Sequence, residues 1–227
     1  MPARDTPSTR SRAATRPGAR AAPRGAPAAR RSPARPPTAK GRATRDRVFA
    51  AAIKLINARG YEAATIPGIC AEAGIAVGSF YHHFRSKSDI LLAYVEDESE
   101  RLLAYYGTLE SLSRKKALLA CVERFFGFYA RKGRGFVSTF LSLLLVEGEA
   151  WFRPEGLSIQ AIARDCLERG AAAGEFAAGP ALGRFVELAT ATVWDLSCGW
   201  CVHGGPEGLA AEAKRRFRRL LDLAAPP

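Results

Sequence analysis

Apolar residues recur at three and four positions along the chain from Ala43 to its C-terminal end, the spacing that lines one face of a helix. Val48, Phe49, Ala52, Ile53 and Ile56 form the first such stripe, and Gly60 is placed to end it. The spacing returns in Leu118, Val122, Phe125, Phe126 and Tyr129, then in Val137, Phe140, Leu141, Leu144 and Leu145. Two longer stripes close the chain, one running from Leu182 through Phe185, Ala189 and Val193 to Trp200, the other from Leu209 through Ala213, Phe217 and Leu221 to Ala224. Glycines and prolines fall between these stripes, at Gly133 and Gly135, Pro154 and Gly156, Gly174, Gly179 and Pro180, and Gly204 to Pro206. No segment alternates with the period of a strand and no internal repeat is present. The pattern predicts an all-α protein of about nine helices, the last two over roughly 180–203 and 207–224.

Between the first stripe and the later ones lie two shorter predicted helices. Thr65 is placed to cap a helix over Ile66 to Ala73, with Pro67 in the first turn, where a missing N–H costs nothing, and Gly74 closing it. A second short helix over Val77 to Phe84 buries Phe80 and Phe84 at i,i+4 and turns Gly78, Ser79, Tyr81 and His82 elsewhere. Ser86 to Asp89 then has the form of a capping box opening a long helix. Two short helices joined by a glycine-containing turn make a helix-turn-helix, whose second helix can enter the DNA major groove.

The stretches G-Y-x-A-x-T from Gly60 and G-S-F-Y-H-H-F-x-S-K-x-D-I-L from Gly78 resemble the DNA-binding domain of the TetR/AcrR family of bacterial regulators. The resemblance implies that Gly78, Ser79 and His82 face base edges, that Tyr81, His83 and Lys87 reach phosphates, and that Thr65 donates to a phosphate. The residue types agree, since a small side chain permits close approach and phenol, imidazole and ammonium groups donate to phosphate oxygens. Arg45 and Arg47, at the start of the first long helix, are further phosphate candidates. Ala76 stands where the family often has a capping hydroxyl, and His82 where it often has a second aromatic.

The resemblance also implies a helical bundle after the DNA-binding domain that takes up a small molecule and forms a homodimer through the last two helices. The expected protein is a repressor that holds a palindromic double-stranded DNA operator until a small apolar or aromatic effector releases it. The expected divisions are a tail over 1–42, a DNA-binding domain over 43–90 and an effector-binding and dimerisation domain over 91–227. Aromatic residues dense in the middle of the bundle place the effector beside Phe125, Tyr129, Phe140, Trp151 and Trp194, with Glu147 or Asp195 as its orienting polar group. Asp195 lies inside an apolar run, so it must meet an arginine, lie exposed or await a ligand group.

Charge adds one feature to this picture. Residues 1–42 hold eleven of the 34 basic residues against one acid, and so +10 of the net +12. They also hold eight of the 14 prolines and, after Met1, no bulky apolar residue, so the segment is expected to be a disordered basic tail, either an arm for DNA phosphates or merely solvated. No apolar run reaches the 18 or so residues of a membrane span, and a cytoplasmic protein with no membrane partner is expected. Five cysteines, an odd number, fit free thiols. Cys198 and Cys201, with His203 nearby, allow an alternative thiol or metal sensor on the same scaffold, although structural zinc usually takes four ligands and no second pair follows. A ligand-free architectural DNA binder is the other alternative. No metal or cofactor is expected, and the absence of a phosphate loop, a G-x-S-x-G elbow and an H-E-x-x-H motif argues against an enzyme.

Overall fold

A computed structural model of the chain describes residues 39–147, 158–177, 180–204 and 208–225. Among the described residues there are nine helices and no strand. They are α1 (Ala39–Arg59), α2 (Ile66–Ala73), α3 (Val77–His83), α4 (Lys87–Gly107), α5 (Arg114–Lys132), α6 (Arg134–Glu147), α7 (Ser158–Ala172), α8 (Pro180–His203) and α9 (Leu209–Leu223). The first helix begins earlier than the composition predicts. Residues 39–42, assigned to the tail, are helical, because the prolines end at Pro37 and Thr44 returns its hydroxyl to the Lys40 carbonyl at 3.0 Å. The remainder of the expected tail, 1–38, lies outside the described residues.

The head formed by α1, α2, α3 and the start of α4 closes over an aromatic core. Phe80 and Phe84 are fully buried with their ring centres 5.6 Å apart, Phe49 meets Phe84 at 5.5 Å, and Tyr94 of α4 meets Phe49 at 4.9 Å. The local signals read from the sequence are made. The Thr65 hydroxyl oxygen accepts from Gly68 N at 3.2 Å, and Gly74 ends α2 in the left-handed region at φ 63°. Ser86 accepts from Asp89 N at 3.1 Å, whereas the Asp89 carboxylate turns back to Arg85 N at 2.9 Å, one residue earlier than in the usual box. Ala76 caps α3 without any side-chain bond.

In the bundle, α5 is the central element, with α4, α6, α7 and α9 packed around it. Leu118, Cys121, Val122 and Phe126 of α5 are fully buried, and α9 lays Ala213, Phe217 and Leu221 onto it at i,i+4 spacing. Arg114, at the first residue of α5, is 6% exposed and makes up for that burial by donating to the carbonyls of Glu110 and Leu112 at 2.7 and 2.9 Å. Beside it, Tyr106 donates to Asp165 at 2.5 Å and accepts from Cys166, tying α4 to α7.

One polar residue joins the head to the bundle. Asn57, near the end of α1, donates to the Lys132 carbonyl at 2.6 Å and accepts from Phe136 N at 3.0 Å, so its amide clasps both sides of the α5–α6 turn. A side chain at Gly135 would meet the Asn57 Cα at 3.2 Å, and only glycine admits this approach without a shift.

Candidate nucleic-acid interface and effector cleft

Helix α3 presents two different sides. Phe80 points inward, while Val77, Gly78, Tyr81 and His82 are exposed and Ser79 and His83 are half-buried. Tyr81 is 57% exposed, its ring held edge-on against Phe80 at 5.3 Å, so an aromatic group with a free hydroxyl end stands out from a fixed base. A Cβ on Gly78 would meet nothing within 4 Å. Packing inside this chain therefore does not require glycine there. Burial, the Arg45 guanidinium and His82 together push the His83 imidazole below its ordinary pKa, so at neutral pH it is uncharged and can still donate one N–H. Thr65 is exposed, and because its oxygen is the acceptor in the α2 cap, its hydroxyl proton remains available to a phosphate.

Two expected phosphate ligands have partners within the chain. Arg45 is largely buried, pairs with Asp97 at 3.5 Å and lies 5.4 Å from the Phe49 and Phe84 ring centres, which makes it a tie between α1 and α4. Lys87 donates to the Tyr61 carbonyl at 2.5 Å with its ammonium 3.9 Å from the Tyr61 ring centre, fastening the start of α4 to the loop after α1. Periodicity could not foresee either role, because both partners come from another element. Arg47 is exposed over a shallow groove between α1 and α2, beside Lys54 and Glu72.

In the bundle a cleft opens among α4, α5 and α6 and the start of α7. It brings together Phe125, Tyr129 and Phe140 from the expected set, with Val95, Leu102, Phe128 and Ser158 as further walls and Glu98, Ser99, Arg124 and Arg131 among its polar lining. The space amounts to about 510 Å³ counting the open mouth. Tyr129 is buried, its hydroxyl within reach of Ser197 on α8, and burial pushes its pKa up.

The two α8 candidates do not line this cleft. Trp194 is half-buried against the core, and Asp195 is exposed and ion-paired to Arg216 of α9. Of the outcomes open to Asp195 in an apolar run, it takes an arginine at the surface, because a carboxylate one position round from a packed tryptophan points away from the core. Glu147 ends α6, and its side chain lies outside what is described. Trp151 lies outside the described residues. Arg124 and Arg131 were missed, although their places at i and i+7 around Phe128 put all three on one row of α5.

The outer face of α8 carries Leu188, Ala191, Asp195, Cys198 and Val202, a three-and-four spacing of exposed residues, and Leu188 and Val202 are 49% and 69% exposed. Ala189, a member of the apolar stripe read from the sequence, is buried in the chain's own core. The exposed side of α9 is basic, with Arg215, Arg216, Arg218 and Arg219. Among the described residues no group of three or more His, Cys, Asp and Glu is placed to hold a metal. Burial raises the thiol pKa of Cys121 to about 12 and of Cys166 to about 11.

The family model described as "Bacterial regulatory proteins, tetR family" matches residues 48–94, the segment that builds α2, α3 and the flanking parts of α1 and α4. The head therefore carries a TetR-family DNA-binding domain. The HTH-type transcriptional regulator UidR of Escherichia coli K12 is 33% identical over 67 residues, 30% of this chain and 34% of UidR. The HTH-type transcriptional activator FasR of Mycolicibacterium smegmatis is 30% identical over 96 residues, 40% of this chain and 43% of FasR. The chain thus spans about a third of the length of the first of these relatives and less than half of the second. Beyond the head the likeness is one of fold. The Thermus thermophilus regulator FadR, described as a TetR-family transcriptional repressor in complex with lauroyl-CoA, superposes with a TM-score of 0.60 over 78% of this chain and 92% of its own, at 22% identity. Among the described residues no helix is long and apolar enough to cross a membrane.

Proposed function

We propose that this chain is a DNA-binding transcriptional regulator of the TetR family, a non-enzymatic repressor that holds a palindromic operator as a homodimer and lets go when a small molecule occupies the cleft between α4 and α7. The observation that carries the reading is α3: a fixed aromatic base beneath exposed Gly78, Tyr81 and His82. Gly78, Ser79 and His82 read bases, while Tyr81, His83, Thr65 and Arg47 position the head on phosphates. The three-and-four seam on the outer face of α8 supports the dimer, since around Asp195 it offers Leu188, Ala191, Cys198 and Val202, apolar or small, at the spacing helix pairing uses.

Release needs a physical link from cleft to head, and the structure holds a continuous line of aromatic rings. It runs from Phe80 through Phe84, Phe49 and Tyr94 to Phe128, Tyr129 and Phe125, each neighbour 4.6–5.9 Å from the next. Tyr94 rides on α4, so a ligand that enters between α4 and α5 and parts them moves a member of that line. Such a ligand prefers the widened form, and this differential affinity is what shifts the equilibrium between conformations. The fold neighbour described as a repressor bound to lauroyl-CoA is a precedent for a ligand-responsive chain of this shape.

Selection of binding sites from random duplex DNA tests the reading. It should enrich an inverted repeat whose half-sites are separated by roughly one helical turn or a multiple of it. Tyr81→Ala should weaken that complex by about 3- to 10-fold, the weight of one hydrogen bond, with the circular dichroism of the folded dimer intact. Equal affinity for every sequence would instead favour the architectural binder, and loss of operator binding on oxidation that depends on Cys198 and Cys201 would favour the thiol sensor.

A further inference from the structure

We infer that the cleft takes an amphipathic anion, an apolar or aromatic body lying on Phe128, Tyr129 and Phe140 with a carboxylate, sulfonate or phosphate held at the mouth by Arg124 and Arg131. This rests on the effector reading above and gives it a chemical class. Arg124, Phe128 and Arg131 sit at i, i+4 and i+7 on α5, so two guanidinium groups bracket an aromatic floor with their backbone positions about 10 Å apart along the helix. Glu98 is the one acid in the lining, and it is already ion-paired with Arg101. Among the described residues neither Arg124 nor Arg131 pairs with a carboxylate. Arg124 lies 4.6 Å from the Tyr105 ring centre, a contact that steadies the guanidinium without neutralising it.

The rim is therefore electropositive while the depth is apolar. A neutral apolar ligand would fill the depth but leave two cations at its edge to be partly stripped of water, and a cationic ligand would meet like charge. An anion removes both costs, because guanidinium binds carboxylate, sulfonate and phosphate oxygens through paired N–H donors.

The test uses two dyes that share one aromatic body. 8-Anilinonaphthalene-1-sulfonate carries a sulfonate that N-phenyl-1-naphthylamine lacks, and both brighten in apolar surroundings. Each is titrated into the full-length protein and into Arg124→Gln, Arg131→Gln and the double variant. The expected result is sulfonate-dye affinity reduced about tenfold in the double variant, the size of one charge-assisted hydrogen bond, with the neutral dye changed less than twofold. Ser99→Trp, or Val95→Phe should the first lose its circular dichroism, fills the cleft and should weaken both dyes. If both dyes are blocked by filling the cleft yet neither responds to the arginine variants, the anion inference is overturned while the effector cleft stands. Should neither dye bind, or should filling the cleft leave both untouched, the cleft is not the ligand site and the effector reading falls with it.

Discussion

The head and the cleft are built from the same kind of residue, yet they make different use of it. In the head, Phe80 and Phe84 are separated by one helical turn and bury each other, so their exposed neighbours Gly78, Tyr81 and His82 follow from the same seven-residue helix. In the cleft, Val95, Phe128, Phe140 and Ser158 come from four helices and from as far apart as 63 positions in sequence. A reading surface made by one short element is specified locally. A pocket made by several is specified only when they pack.

The largest expected effect separates the two regions. Phe84→Ala removes a fully buried ring from the head and should cost about 3–5 kcal/mol, abolishing operator binding. If the regions are as independent as their construction suggests, the bundle of this variant still binds the neutral dye. Thermal denaturation followed by both near-ultraviolet dichroism and dye fluorescence checks this, and a single transition with simultaneous loss of both signals would show one cooperative unit instead.

Asn57→Ala tests the clasp between the regions. Two hydrogen bonds are lost, those to the Lys132 carbonyl and from Phe136 N, and stability should fall by about 1–3 kcal/mol. More telling is the coupling. Ligand and DNA should each bind the variant nearly as before, while the factor by which one weakens the other shrinks, measured by operator titration with and without saturating ligand. An unchanged coupling factor would assign the transmission to the aromatic line alone.

Gly78→Ala sharpens the contrast between stability and function within α3. With open space around the added methyl group, the variant should gain about 0.5–1 kcal/mol of stability yet bind operator more weakly, because the methyl stands where the helix approaches the groove. Calorimetry and a gel-shift titration on one preparation decide it, and tighter or equal DNA binding would remove Gly78 from the interface.

The smallest effect is a pH dependence. His83 has its pKa below the ordinary 6.5 in the folded protein, so as pH falls the unfolded chain takes up the proton first. Its contribution to stability is present in full above about pH 6.5 and declines as pH drops towards the folded pKa. Urea midpoints between pH 5 and 7.5 should therefore slope less in His83→Gln than in the parent, and identical slopes would mean that His83 does not titrate as its surroundings require.

The sequence alone determined the helical class, the two short helices of the head, their caps at Thr65, Gly74 and Ser86, and the inward turn of Phe80 and Phe84. Each of these follows from residues within one or two turns of each other, where backbone geometry fixes the outcome before any packing occurs. The long helices α8 and α9 were legible for the same reason, from glycine and proline breaks around strong apolar stripes. Tertiary structure decided the rest. It took Arg45 and Lys87 into ties across α1 and α4, sent Asp195 to Arg216, kept Trp194 out of the cleft, and made Arg124 and Arg131 its rim. A charged or amphipathic side chain on a helix can satisfy itself in several ways at similar cost. Which one it takes depends on what another helix, dozens of residues away, brings within reach.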